Sequence, residues 1–238
     1  MFAPGTVLLH DTLDSAGRNL LFTQPREILA AHDAATARQA LARLEAATVQ
    51  GLHAAGYLAY ELGFVFEERL AARLPPPGDR PLLWLGLYDA PAILSAAAVD
   101  DYLAAHAAST GGRAVDIVPR WDEVAHRHAF EQVKALIAAG DTYQVNLTFK
   151  ADFRLEGDPV ALYRDLVRKQ PVSYGALINT GEHWILSRAP ELFVASEDDI
   201  LKARPMKGTI KRGLTLTEDE ASRAALAGDE KNRAENLM

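Results

Sequence analysis

The chain has 238 residues, 49% hydrophobic and 24% charged, which supplies a sizeable core and excludes a disordered polypeptide. Its 32 acidic residues outweigh 25 basic ones, a net −7 that argues against wholesale binding to nucleic acid or to an anionic membrane. There is no cysteine, so disulfides, thiol catalysis and thiolate metal sites are excluded, a usage that fits a cytoplasmic protein.

The opening MFAPGTVLLHDTLDSAGR has no basic start followed by a long apolar run, so a signal peptide is not expected. Apolar runs such as that around 92–98 fall far short of the roughly 20 residues a bilayer requires. Residues 35–50 are Ala-rich with Leu41, Leu44 and Val49 near helical spacing, and predict a helix. GYLAYELGF (56–64) predicts a buried strand or strand-turn, PPPGD (75–79) a loop, and PLLWLGLYDAPAIL (81–94) a buried strand running into a bend. GGR at 111–113 marks a further break. These features make residues 1–118 a mixed N-terminal part without a chemical motif of its own.

Residues 119–238 carry stronger patterns. In WDEVAHRHAFEQVKALIAAG (121–140), Asp122 is the expected N-cap and Gly140 the expected C-cap of a helix. Its apolar face holds Val124, Phe130, Val133 and Ile137. DTYQVNLTFKADF (141–153) alternates without a break from Tyr143 to Phe153, the period of a strand, and Gln144, Asn146, Thr148, Lys150 and Asp152 form its polar side. Asp158 and Pro159 open a second helix that Pro171 follows. Strands are expected at 174–180 and 184–188, continued by RAPELFVAS with a break at Pro190. ILKARPMKGTI (200–210) is extended and interrupted at Pro205. Thr217-x-x-Glu220 reads as a capping box for a helix to 228, and DEKNRAENLM (229–238) as the first turns of another.

Three residues stand out chemically. Lys207 precedes Gly208, which leaves backbone open to a ligand. Lys202, Arg204 and Lys211 crowd positive charge nearby, and like charges favour the neutral amine that a nucleophile needs. Its order relative to glycine excludes a phosphate-binding P-loop. Glu191, after a strand end and a proline, suits a general acid, and otherwise reads as an exposed loop carboxylate. Glu235 suits a hard-cation ligand, and otherwise reads as the i,i+4 partner of Lys231. His126 and His128 point to different faces of their helix and read as surface residues.

Taken in order, GDTYQVNLTFKADF, SRAPELFVAS, KARPMKGTIKRG and KNRAENLM resemble the chorismate-using enzymes, which include anthranilate synthase, aminodeoxychorismate synthase, isochorismate synthase and salicylate synthase. The resemblance implies an α+β fold of antiparallel sheets packed face to face with outer helices. It makes residues 119–238 part of a catalytic domain whose family continues past the AENLM block, so turnover by these residues alone is not expected. Anthranilate synthases resemble this chain in the RPxxGT block but carry alanine at the position of Lys207, whereas aminodeoxychorismate synthases carry lysine. Isochorismate and salicylate synthases carry a water-activating lysine at the position of Gln144, and an amide cannot act as that base.

The resemblance therefore implies aminodeoxychorismate synthase component I, which makes 4-amino-4-deoxychorismate from chorismate and ammonia for 4-aminobenzoate and folate synthesis. Anthranilate synthase component I and a non-catalytic chorismate- or partner-binding fragment are the alternatives. On this resemblance Lys207 attacks the ring and Glu191 protonates the departing hydroxyl. Gln144, Gly208 and Thr209 contact substrate, Glu235 binds Mg²⁺, and a separate glutamine amidotransferase supplies ammonia.

Overall fold

The computed structural model describes residues 2–14 and 19–238. Its elements in chain order are β1 (Thr6–His10), β2 (Asn19–Phe22), β3 (Glu27–Ala31), α1 (Ala34–Val49), β4 (His53–Leu58) and a 3₁₀ turn (Tyr60–Val65). They continue with α2 (Glu68–Ala71), β5 (Leu83–Tyr88), β6 (Ala92–Leu94), α3 (Ala96–His106), β7 (Gly112–Pro119) and α4 (Glu123–Ala139). The remainder are β8 (Ala151–Gly157), α5 (Pro159–Lys169), β9 (Tyr174–Asn179), β10 (Trp184–Ala189), β11 (Leu192–Glu197), β12 (Ile200–Arg204), α6 (Leu216–Gly228) and α7 (Glu230–Leu237). The chain divides into two compact units: Met1–Arg113 with Leu155–Pro190, and Ala114–Arg154 with Glu191–Met238.

The first unit contains two antiparallel sheets, one in the order β10-β9-β1-β2-β6 and the other β3-β5-β4. Strand alternation builds its layers. Val7 and Ile178, paired across β1 and β9, join Phe22, Ala55, Trp84 and Tyr88 in a core between the two sheets. Their neighbours Leu8 and Leu177 face the other way, against Val99 and Leu103 of α3 and Val160 and Tyr163 of α5. Leu83, Leu85 and Leu87 face α1 through Ala37, Ala40 and Ala47. Every residue of β5 is buried because one side meets a sheet and the other a helix, which explains an uninterrupted apolar run. The expected face-to-face antiparallel sheets with outer helices are thus present.

A polar network closes one end of this unit. The Arg188 guanidinium donates to the Tyr163 hydroxyl (3.2 Å), Thr12 Oγ1 (3.1 Å) and the Gln170 carbonyl (2.8 Å). Buried His10 lies 3.4 Å from the Tyr163 hydroxyl through Nδ1. Burial first, and the Arg188 charge second, hold the His10 imidazole below its ordinary 6.5, against smaller opposing effects of Asp100 and Asp11. A depressed histidine stabilises the fold above the unfolded value, and that contribution is lost as pH falls through the folded one. Urea midpoints should therefore drop as pH falls below the ordinary 6.5, and His10→Gln should flatten that part of the profile.

The second unit differs. Its helices are well capped: Asp122 accepts from the Ala125 N–H (2.7 Å), and Gly140 closes α4 in the left-handed region (φ 81°). Yet none of its residues is buried, and Val124, Phe130 and Ile137, the expected core face of α4, are exposed. The expected strand over 141–153 is also shorter. Only Ala151 onward enters β8, which pairs with β7, while 144–150 has no ladder among the described residues. The alternation specifies side-chain direction, but a strand also needs a neighbour to satisfy its backbone. The capping box forms two residues earlier than expected, at Thr215 and Glu218. Asp219 decides that register: it accepts from Arg212 Nε (2.5 Å) and the Gly213 N–H (3.1 Å), anchoring the start of α6.

Candidate functional site

Five of the six sequence-derived site residues lie on three segments of the second unit: Glu191 before β11, Lys207 to Thr209 after β12, and Glu235 on α7. Pro205 ends β12, so Lys207, Gly208 and Thr209 lie on an irregular loop rather than in a ladder. Pro190 separates β10 from β11 and places Glu191 at the entrance to β11, a strand paired with β12. The Met206 N–H donates to Glu191 Oε1 (3.0 Å). The expected acid thus grips the backbone beside the expected nucleophile and retains its second oxygen for other chemistry.

On the other side the loop meets α7. Gly208 adopts φ 71°, which favours glycine, and a Cβ there would lie 2.6 Å from Asn232 Oδ1. The Asn232 side chain packs over the glycine, and Glu235 follows one turn later on the same helix face. Asp229 caps this helix by accepting from the Asn232 N–H (2.7 Å), so one residue starts α7 and docks it. Sequence reading missed Asn232; its only signal was its place three residues before Glu235 in KNRAEN. Gly208→Ala is expected to cost about 1–2 kcal/mol in backbone strain and to push α7 off the loop. Faster amide exchange in α7, with no change in the first unit, is the measurement that checks it.

Glu235 is largely covered and pairs with Lys231 (3.7 Å), the i,i+4 arrangement that the spacing anticipated. Among the described residues no three His, Asp or Glu side chains are grouped to hold a metal. A Mg²⁺ ion takes several oxygen ligands, and Glu235 alone supplies one carboxylate toward such a site. Gln144 lies in the 141–150 stretch, where its carbonyl accepts from the Thr142 hydroxyl (3.2 Å). Among the described residues no hydrogen bond or ion pair joins Gln144 to the Glu191, Lys207 or Glu235 side chains. Lys202, one of the cations expected around Lys207, is paired with Glu197 (3.2 Å). His126 lies edge-on to Phe149 (5.8 Å), and Trp121 stacks on the same ring (5.8 Å), which ties the start of α4 to the 144–150 stretch.

The arrangement places an amine, a carboxylate fixed to the amine's own loop, and a helix bearing a second carboxylate within one unit. It can serve nucleophilic attack on a small anionic substrate assisted by proton transfer. Among the described residues no helix is long and apolar enough to cross a membrane.

A family model described as chorismate binding enzyme matches residues 6–238. Aminodeoxychorismate synthase component 1 of Bacillus subtilis (strain 168) is 39% identical over 110 residues, covering 46% of this chain and 23% of that protein. Anthranilate synthase component 1 of Methanothermobacter thermautotrophicus is 40% identical over 108 residues, covering 45% and 23%. The structure of anthranilate synthase component I from Streptococcus pneumoniae aligns with a TM-score of 0.59 at 16% identity, over 98% of this chain and 57% of that one. At that identity the likeness establishes the fold. The chain spans less than half the length of the curated relatives it matches.

Proposed function

Because this chain belongs to the chorismate-binding enzyme family, with its model matched over residues 6–238, we propose that it serves the aminodeoxychorismate synthase component I reaction. The observation that carries this reading is the hydrogen bond from the Met206 N–H to Glu191, which fixes the acid to the loop of a lysine. Lys207 Nζ attacks ring C2 of chorismate, electrons shift through the ring diene, and the C4 hydroxyl departs. Glu191 gives that hydroxyl its proton, so water leaves, and the amine loses one proton as it becomes a secondary amine. Ammonia then attacks C4, the shift reverses, and Lys207 is released with 4-amino-4-deoxychorismate. The lysine is regenerated and the net exchange is ammonia for water.

Ammonia supply by a glutamine amidotransferase belongs to the same proposal, since the 238 residues contain no cysteine to hydrolyse glutamine. The product feeds 4-aminobenzoate and folate synthesis on this reading. Anthranilate synthesis is the second reading, favoured by the 40% identity to an anthranilate synthase. It needs no lysine nucleophile and ends with loss of the enolpyruvyl group as pyruvate. Product analysis after incubation with chorismate and ammonium separates the two. The expected product keeps its enolpyruvyl group and forms without pyruvate; anthranilate with an equal amount of pyruvate would overturn the proposal. Product identity, not yield, is the test, because steady turnover by these residues alone is not expected.

A further inference from the structure

In the first unit, β4 is the edge strand of the sheet ordered β3-β5-β4, and the turn joining β9 to β10 belongs to the other sheet. Three side chains link that edge to that turn. His183 Nε2 lies 3.0 Å from the Tyr57 hydroxyl of β4, and His183 Nδ1 lies 3.2 Å from Thr180 Oγ1. The Thr180 oxygen is already occupied. It accepts from the backbone N–H groups of His183 (2.9 Å) and Glu182 (3.3 Å), which fills its two lone pairs. Only its hydroxyl proton is left to offer, shared between the His183 carbonyl (3.0 Å) and Nδ1. Nδ1 is therefore the unprotonated nitrogen of the neutral ring, and Nε2–H donates to Tyr57. Burial first holds the Tyr57 phenol above its ordinary 10.0, so it remains a neutral partner.

We propose that Thr180, His183 and Tyr57 form a pH-sensitive latch, which holds the β4 edge to the β9–β10 turn at neutral pH and releases it in acid. Protonation places a second N–H against Thr180 Oγ1, which has no lone pair left to receive it. The ring then turns to give that N–H to water and withdraws Nε2 from Tyr57. The titratable and charged groups around His183 are Tyr57 on β4, Arg80 in the loop before β5, and Glu182 beside it in the turn. Burial is the largest effect holding the imidazole below its ordinary 6.5, Glu182 opposes it, and Arg80 adds to it. The latch is thus complete above that ordinary value and is lost as pH falls through the folded one. Tyr57 and Ile185 pack against Val7, Trp84 and Ile178 in the core between the sheets, so release opens that core at its β4 rim. Another tie between the sheets, from the Tyr88 hydroxyl to the Gly5 carbonyl (2.8 Å), contains no group that titrates in acid and stays closed. Opening an edge strand is a local event, which confines the response to β4. No residue of the proposed reaction takes part.

Nitrogen NMR of the full chain is expected to show His183 as the Nε2–H tautomer at neutral pH. Amide-exchange protection factors in β4, corrected for the intrinsic pH dependence of exchange, should fall roughly fivefold as His183 titrates, the size expected for one hydrogen bond. Protection in β1 and β9 should not change over the same range. His183→Gln, whose amide nitrogen can still donate to Tyr57 but does not titrate, should keep β4 protected in acid. Tyr57→Phe, which removes the acceptor, should show the low protection at every pH. The drop should persist in His10→Gln, which separates it from the other buried histidine of this unit. Three results would overturn the proposal. One is an Nδ1–H tautomer at neutral pH. Another is β4 protection that stays constant while His183 titrates, or that Tyr57→Phe leaves unaltered. The third is a drop that disappears with His10→Gln or survives with His183→Gln.

Discussion

Lys207→Ala is expected to eliminate the covalent intermediate and to slow amination of chorismate by roughly 10³-fold or more, as loss of a nucleophile does elsewhere. Mixing the unaltered protein with chorismate in the absence of ammonia should give a mass gain equal to chorismate less one water, located on the peptide that contains Lys207. Lys207→Ala should show no gain, and adding ammonium to the unaltered adduct should discharge it. A Lys207→Ala protein that still aminates chorismate at an unchanged rate would remove the lysine from the mechanism. Glu191→Gln gives a useful contrast. Its amide oxygen can still accept from the Met206 N–H, now 3.0 Å from Glu191 Oε1, but the amide has no acidic proton. The loop should stay in place while adduct formation slows, which separates the acid's two roles. Glu191→Ala would disturb both.

The second large effect concerns stability. Tyr88→Ala is expected to cost about 3–5 kcal/mol, the usual range for deleting a large aromatic from a core. Tyr88 is 1% exposed, lies 5.2 Å from the Phe22 ring centroid, and fills the space between the two sheets together with Trp84 and Ile178. Its hydroxyl donates to the Gly5 carbonyl (2.8 Å), and burial raises the phenol well above its usual range, so the donor stays protonated. Gly86 belongs to the same arrangement: it shares the inner side of β5 with Tyr88, and any Cβ there would run into the Tyr88 ring. Tyr88→Phe, which keeps the ring and loses one hydrogen bond, should cost only about 1 kcal/mol. Urea unfolding followed by tryptophan fluorescence distinguishes these outcomes. Equal losses in the two variants would show that the hydrogen bond, not the packed ring, holds the sheets together.

The ordered motifs determined by themselves which family this chain joins, because GDTYQVN, SRAPE, RPMKGT and KNRAEN each carry residue types tied to chemistry. Local chemistry also determined most elements. Asp122 and Asp158 cap helices as their positions announced, Gly140 ends α4, and Pro159 opens α5. These are short-range effects in which a side chain satisfies a backbone group three residues away.

Tertiary structure decided what depends on a partner. The alternation over 141–153 states which side chains share a face, but among the described residues no neighbouring strand pairs with 144–150, so that stretch remains outside a ladder. Two overlapping Thr-x-x-Glu patterns compete in TLTEDE, and Asp219 bonding to Arg212 and Gly213 selects the earlier one. Phe130 and Ile137 were legible as an apolar stripe, whereas their exposure depends on what packs against α4. Glu191 and Lys207 are sixteen positions apart in sequence; the β11–β12 pairing and one backbone hydrogen bond bring their segments together. A sequence can specify a reactive residue type, but proximity between distant residues comes only from the fold.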